Sequence, residues 1–456
     1  MFLQKIKSQG ISHLSYIIGD KGRAAVIDPR RDCAVYLETA HQQGVRITHI
    51  FETHRNEDYV IGSRELADLT GAEIFHGGEL PFAYGRVTSE GDRFELGNII
   101  LETLKTPGHT FESISLVLYD SGFGSEPIGV FTGDALFIGD AGRTDFFPDR
   151  KEETAGLLYD SLFNKILPLG DHVILYPAHG SGSVCGSGMA DREFSTLGYE
   201  KMSNPLLQVS GRDEFIKIKT AESHSTPPYF AKMEEYNLNG PPPLGRLHTP
   251  APLNAQDFEN FLKEGMLALD LRSAHAFAGA FIPGSLSIPL NMVPAYAGWL
   301  LSYDQDLGLI VDSPNDLDQA VRYLSRIGYD RVQGYLYQDM EEWSVKGKYF
   351  DSVRAVFAGE IQNRISNDQS FTLLDVRTRE EFQAGHLPGA QHVFLGELEK
   401  NLDKIRTQRP LTTFCGSGQR AIIAASILKK NGFQEVENCF GSMQACSQGV
   451  CEIVKE

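Results

Sequence analysis

The sequence predicts a multidomain chain of mixed α/β and α+β architecture, and three observations carry that reading. Over the first 220 residues, short β-branched runs alternate with helical stretches, and a His or Asp repeatedly follows a strand. Residues 221–248 are rich in proline and polar side chains, the composition of a linker. Beyond them one α/β module is written twice. "LDLRSAHAFAGAFIPGSLSIP" (269–289) matches "LDVRTREEFQAGHLPGAQHV" (374–393), pairing Asp270 with Asp375, Arg272 with Arg377 and Pro283 with Pro388 at an offset of 105. The expected domains are 1–220, a linker at 221–248, and modules at 249–350 and 351–456.

In the first domain, "LSYIIGD" (14–20) and "AAVID" (24–28) read as a hairpin, "YLETAHQQG" (36–44) as helix and "THIFETH" (48–54) as strand. "IILETLKTPGH", "SISLVLYD", "IGVFTGDALF" and "DHVILYPAHG" each run a strand into a polar turn. Such turns place functional side chains along one rim of a sheet sandwich.

The chain has 456 residues, enough for two to four domains, and a formal net charge of -18. That charge repels a polyanion at long range and argues against nucleic acid as a partner. No apolar run is long enough to cross a bilayer and the N-terminus lacks a secretory layout, so no membrane partner and a cytoplasmic location are expected. The cysteines at 33, 185, 415, 439, 446 and 451 show no paired zinc spacing and are expected as free thiols, with Cys33 and Cys439 as small buried residues.

In the second module, "LTTFCGSGQRAIIAASILKKNGF" runs a strand to Cys415, a Gly/Ser loop over Gly416, Ser417, Gly418 and Gln419, and an apolar helix from Arg420. Backbone N–H groups of such a loop point inward beside a helix N-terminus, and with Arg420 they would favour a nucleophilic thiolate at Cys415. The loop, with "LDVR" and "GHLPGA", resembles the rhodanese family. The resemblance covers both modules and implies that Cys415 carries a persulfide cradled by residues 416–420. Four residues separate Cys415 from Arg420, one fewer than a phosphate-sized cradle usually has. The first module offers Val311 and Asp312 at the corresponding strand end, so it is expected to be catalytically silent.

The strand-end residues of the first domain are His54, Asn56, Asp58 and Tyr59 in "ETHRNEDYVIGS" (52–63), then His109, Asp134 and His179. Their order resembles the metallo-β-lactamase superfamily over residues 1–205 and implies its αββα sandwich. Asn56 and Tyr59 stand where the H-x-H-x-D-H loop has histidines, and an amide and a phenol are poor donors to zinc. His54, His109 and Asp134 remain, two imidazoles and a carboxylate, the facial triad of non-haem Fe(II) oxygenases.

Within the superfamily that triad resembles the iron site of persulfide dioxygenases, and "GRTDF" (142–146) agrees. The resemblance implies one Fe(II) per chain and an enzyme, a persulfide dioxygenase joined to a thiosulfate sulfurtransferase. Its small-molecule partners would be a thiol persulfide, O2 and sulfite. Asp58, Arg143, His179 and Cys185 would stand behind the ligands or contact the substrate. Glutathione, coenzyme A, bacillithiol and cysteine all remain open as the thiol carrier, and the architecture is compatible with a homo-oligomer. Two other readings stay open: a glyoxalase-II-like zinc thiolester hydrolase fused to a sulfurtransferase, and a sulfur-relay protein in which Cys415 alone works.

Overall fold

A computed structural model describes residues 1–183, 186, 188–245, 247–406 and 409–455. The chain divides into two compact units, Met1–Leu247 with Ser325–Gly328, and His248–Leu324 with Tyr329–Glu456. Among the described residues no helix is long and apolar enough to cross a membrane.

The first unit is built on two facing sheets. One has six strands, running in spatial order from Phe2–Ser8 through His13–Asp20, Arg23–Ile27, Arg46–Phe51 and Glu73–His76 to Arg86–Val87. The other has five, ordered Ile174–Pro177, Pro127–Gly133, Ile114–Asp120, Ile99–Lys105 and Arg93–Leu96. Successive side chains of a strand point to opposite faces, and the sequence uses both. Tyr16, Ile18, Ala25 and Ile27 face Leu101, Leu116, Leu118 and Phe131 between the sheets. Their neighbours Ile17, Ala24 and Val26 pack outward against helices Ala34–Gln42 and Ser63–Thr70, through Tyr36 and Leu66. Val117 and Val130 do the same on the other face, against Leu158 and Phe215 of helices Lys151–Ser161 and Arg212–Ala221. The result is the αββα sandwich, with three apolar layers in place of one.

Residues 221–247, expected as linker, belong to the first unit and contain the helix Phe230–Asn239, whose buried residues Phe230, Met233 and Asn237 fall at helical spacing on one face. Asn237 Nδ2 donates to the carbonyls of Asn56 and Tyr59 at 2.7 and 2.8 Å, and its Oδ1 accepts from Ile61 N at 3.0 Å. Proline-rich composition concealed a three-residue stripe that straps down the loop after strand Arg46–Phe51.

In the second unit each repeat forms its own parallel five-stranded sheet, with the same strand order. The first runs Pro252–Leu253, Val332–Leu336, Leu307–Ile310, Leu267–Asp270, Leu286–Ser287; the second runs Arg354–Phe357, Val436–Phe440, Leu411–Phe414, Thr372–Asp375, Gln391–His392. The paired Asp and Arg residues explain themselves. Arg272 clasps Asp270 and Arg377 clasps Asp375, both buried, and each guanidinium also donates to a carbonyl eight residues on. The repeats, expected as separate domains, form one compact unit because helix Gln419–Lys430 of the second packs on the first, where Ser287 N donates to Ser426 Oγ at 3.0 Å. Cys446 and Cys451 are joined in a disulfide, contrary to the expectation of free thiols; Gly449, at φ +85°, turns the chain between them. Cys33, Cys415 and Cys439 are free and buried, whereas Cys185 lies outside the described residues.

Candidate metal centre and sulfur loop

Three strands of the first unit end at one rim, and each delivers one donor. His54 follows Arg46–Phe51, His109 follows Ile99–Lys105 and Asp134 follows Pro127–Gly133. His54 Nε2 and His109 Nε2 lie 3.7 and 3.5 Å from Asp134 Oδ2, and all three side chains are buried. None of these three atoms has a hydrogen-bond partner. Buried polar atoms left unpaired are costly, and three converging on one point fit a metal ion. Two donors about 2.1 Å from one ion stand about 3.0–3.4 Å apart at octahedral or tetrahedral angles, so the observed spacing closes by a few tenths of an ångström.

The imidazole orientations are fixed from behind. Asp28 accepts from Thr53 N and from Thr53 Oγ1, each at 2.7 Å. With its proton committed there, the Thr53 hydroxyl accepts from His54 Nδ1 at 3.0 Å, which leaves the Nε2 lone pair facing the site. His109 Nδ1 donates to the carbonyl of Arg143 at 2.9 Å, with the same consequence. That carbonyl is reached because residue 142 is glycine; a Cβ there would stand 1.9 Å from the Asp134 carbonyl. The Arg143 side chain pairs bidentately with Asp145 at 2.6 and 2.8 Å, so it steadies the loop and its charge is already matched. Phe146 stands edge-on to His109 with ring centroids 5.1 Å apart.

Asp58 and His179 make a different arrangement. His179 Nδ1 lies 2.7 Å from Asp134 Oδ1 and its Nε2 lies 3.0 Å from Asp58 Oδ2. Burial works to lower its pKa, but the Asp134 and Asp58 carboxylates outweigh burial and hold it well above the usual value. Asn56 adopts φ +50° and donates to the His54 carbonyl, while Tyr59 stacks on His13 at 4.0 Å. Among the described residues the one group of three or more His, Cys, Asp or Glu side chains placed to hold a metal is His54, His109 and Asp134. The remaining shifts agree with a site that needs positive charge. Burial lowers His54 to about 4, whereas at His109 the Glu57 and Asp134 carboxylates overcome burial and raise it. A cavity of about 570 Å³ opens against His179 and His13, with Lys5, Lys7 and Arg192 along it.

The second site is a single loop. Strand Leu411–Phe414 ends at Cys415, and Gly418 N donates to its sulfur at 3.0 Å. Gly418 makes that bond at φ +102°, a conformation strained for any residue with a Cβ. The loop is held by Ser442 Oγ, which accepts from Cys415 N at 3.2 Å, and by Met443 N, which donates to the Cys415 carbonyl at 3.0 Å. Helix Gln419–Lys430 starts directly behind.

Arg420, expected to help hold the sulfur, lines the cleft beside the loop and is itself paired with a carboxylate. Its Nη1 and Nη2 both donate to Glu381, at 2.6 and 2.7 Å, and it also bonds the Tyr296 hydroxyl. A planar guanidinium fits a carboxylate bidentately, and Glu381 outcompetes a sulfur that the backbone already serves. Arg377, Glu381 and Arg420 line an open cleft of about 370 Å³ with Gly416 and Ser417. Gln419 accepts from Asn291 Nδ2 at 3.0 Å, so the first repeat touches the loop region through both Asn291 and Tyr296. At its own strand end Asp312 Oδ2 merely accepts from Ser273 N.

Sequence reasoning missed Asp28, Thr53, Glu57, Asn237, Glu381 and Tyr296. Glu57 and Thr53 carried a signal, lying inside the loop and directly before His54; the others act across gaps in sequence that no local motif spans.

A sandwich with three candidate donors on one rim and a cysteine loop on a duplicated α/β module together define the class of fold. Residues 9–179 match the metallo-beta-lactamase superfamily and residues 357–448 match the rhodanese-like domain. The chain is 32% identical over 218 residues to persulfide dioxygenase ETHE1, mitochondrial, of Mus musculus, covering 45% of this chain and 74% of that protein. It is 32% identical over 209 residues to hydroxyacylglutathione hydrolase GloC of Haemophilus influenzae, covering 42% of this chain and 91% of that one. A crystal structure of a metallo-beta-lactamase from Staphylococcus aureus subsp. aureus COL superposes with a TM-score of 0.67 and 33% identity, over 74% of this chain and 98% of that one. The chain therefore belongs to the metallo-beta-lactamase superfamily, as a member that also carries a rhodanese-like domain at residues 357–448.

Proposed function

We propose that the protein is a bifunctional enzyme of sulfide detoxification: a persulfide dioxygenase using one Fe(II), joined to a sulfurtransferase that forms thiosulfate. The observation that carries this reading is the donor set. Two imidazoles and one carboxylate converge, while Asn56 and Tyr59 stand at two of the places where a second metal site would need histidines.

Iron(II) held by His54, His109 and Asp134 would supply a redox-active centre with positions free for an anionic sulfur and O2. The overall step balances as RSS⁻ + O2 + H2O → RSH + SO3²⁻ + H⁺. The chain's own contribution is orientation and exclusion of water. Asp28, Thr53 and the Arg143 carbonyl hold the two rings with Nε2 inward, and Phe146 and the Phe230–Asn239 helix of the same unit wall the rim. The cavity at His179, lined by basic (Lys5, Lys7, Arg192) and acidic (Asp191, Glu193) side chains, has the volume for a low-molecular-weight thiol persulfide.

In the second unit the Cys415 thiolate attacks the outer sulfur of a second persulfide and RS⁻ leaves. Sulfite then takes that sulfur from the Cys415 persulfide, regenerating the thiolate and releasing thiosulfate. The Gly418 N–H stabilises the sulfur anion at both stages, and Gly416 and Ser417 of the same loop face the open cleft by which sulfite would reach it.

The similarity to hydroxyacylglutathione hydrolase supports a second reading, a two-zinc thiolester hydrolase with an appended sulfurtransferase. Oxygen-electrode assays with glutathione, coenzyme A, bacillithiol and cysteine persulfides separate the two. Persulfide-dependent O2 uptake with sulfite formation is expected; hydrolysis of acyl-glutathione without O2 uptake would replace this reading with the second.

A further inference from the structure

Between strand Arg46–Phe51 and helix Ser63–Thr70 the loop that carries His54 has no helix or strand of its own, yet residues 52–62 are buried throughout. A buried stretch of that kind must find partners for its backbone N–H groups elsewhere in the fold. Three successive donors find them on three segments distant in sequence. Val60 N donates to the Arg326 carbonyl at 2.7 Å, Ile61 N to Asn237 Oδ1 at 3.0 Å, and Gly62 N to the Pro29 carbonyl at 2.7 Å.

Arg326 differs from the other two partners. By sequence it falls in the first repeat, 249–350, but Ser325–Gly328 form part of the first unit. Its side chain is buried there and clasps Asp32, with Nε and Nη2 at 3.0 and 2.9 Å from the two carboxylate oxygens. Its Nη1 donates to the Gln9 carbonyl at 3.1 Å, and Arg31 Nη1 donates to the Ser325 carbonyl at 2.9 Å. Pro29 and Asp32 lie on one short stretch, so the end of the metal loop is closed in a ring. Val60 binds Arg326, Arg326 binds Asp32, and Pro29 binds Gly62. A bidentate guanidinium–carboxylate pair fixes direction as well as distance. When buried, it adds little net stability over an apolar pair of the same size, so what it contributes is one geometry.

We infer that Arg326 is a positioning residue of the metal centre: its pair with Asp32 seats Ser325–Gly328 in the first unit, where its carbonyl holds Val60 and the loop that presents His54 and Asp58. Asp58 and Tyr59 directly precede the held residue, and Asp58 Oδ2 lies 3.0 Å from His179 Nε2, so the loop end bears on the site. This role rests on the metal-binding part of the proposed function and is independent of which thiol persulfide is used. It also gives the first repeat, which has no cysteine at its strand end, a use, because four of its residues complete the first unit.

The test is Arg326→Ala in the full-length protein, read by hydrogen exchange and by Co(II) binding, neither of which needs turnover. Exchange across residues 54–62 is expected to rise about 10-fold, the factor that one lost buried hydrogen bond gives, with strands Ile114–Asp120 and Pro127–Gly133 unchanged. Co(II) affinity is expected to fall about 10-fold, the lower end for loss of a supporting partner. Unchanged exchange in the loop, or a rise shared equally by the strands, would overturn the role of Arg326. Faster exchange in the loop with unchanged Co(II) affinity would overturn it too, because the metal would then not depend on where the loop is held. No Co(II) uptake by wild type would overturn the metal centre itself and this role with it. Should Arg326→Ala not fold, Asp32→Asn weakens the same pair from its other side and is judged by the same outcomes.

Discussion

The metal centre and the sulfur loop solve opposite problems. Its proposed donors come from separate strand ends, His54, His109 and Asp134, and each ring depends on a partner reached through the fold, Asp28 by way of Thr53 or the Arg143 carbonyl. The sulfur loop is contiguous, and its contact to Cys415 comes from backbone, the Gly418 N–H. A cation needs side-chain lone pairs gathered at one point; an anionic sulfur needs N–H groups, which any loop of suitable conformation provides. The first site should therefore be fragile to distant substitutions, and the second to changes in backbone freedom.

The largest expected effect is His109→Ala. Loss of one of three donors should lower metal affinity by more than about 100-fold and reduce O2 uptake to background. Sulfur transfer from persulfide to sulfite at Cys415 should persist, because that loop belongs to another compact unit. Metal analysis and a sulfite-acceptor assay on one preparation check both halves.

Cys415→Ser inverts the pattern. Serine forms no persulfide, so thiosulfate should fall to background while metal content and O2 uptake remain, and sulfite should accumulate. Asp312→Ala at the matching strand end of the first repeat is the control, expected within about twofold of wild type. Thiosulfate at an undiminished rate from Cys415→Ser would show that transfer happens elsewhere.

Thr53→Val sharpens the claim of fragility. It removes the hydroxyl between Asp28 and His54 without touching a donor. Metal affinity should drop about 10-fold, at the lower end of what loss of a supporting partner costs, with about 1–3 kcal/mol lost from the fold as Asp28 is left short of a donor. Unchanged affinity in a titration would mean that the His54 ring needs no help.

The smallest effect concerns Cys439, one strand from Cys415. Burial pushes its pKa up to about 11, so at pH 8 about one part in a thousand is thiolate. Iodoacetamide with mass mapping should leave Cys439 unmodified at pH 8, with labelling rising about tenfold per pH unit up to about pH 11. Rapid modification at pH 8 would contradict the buried environment.

The duplicated module was legible because it repeats in register, down to the buried Asp270–Arg272 and Asp375–Arg377 clasps. The sandwich strands were legible because alternation puts Tyr16 and Ile18 on one face and Ile17 on the other. The three donors were legible as a motif with gaps. What was hidden depends on which partner wins a competition in space. Arg420 reads as a sulfur ligand until Glu381, 39 residues earlier, claims both its amines. The strap at 221–248 reads as linker because proline and polar residues outnumber the stripe of Phe230, Met233 and Asn237. His179 reads as a group behind the ligands or a contact for the substrate, and which partners it takes, Asp58 and Asp134, shows only in the fold.

The central claim is that one divalent ion, iron, occupies the rim of the first unit and that Asn56 and Tyr59, in place of two histidines, leave it without a second. Elemental analysis of wild-type protein purified anaerobically, with iron and zinc both in the medium, tests this most directly. The account predicts close to one iron per chain and negligible zinc; two zinc ions per chain would contradict it.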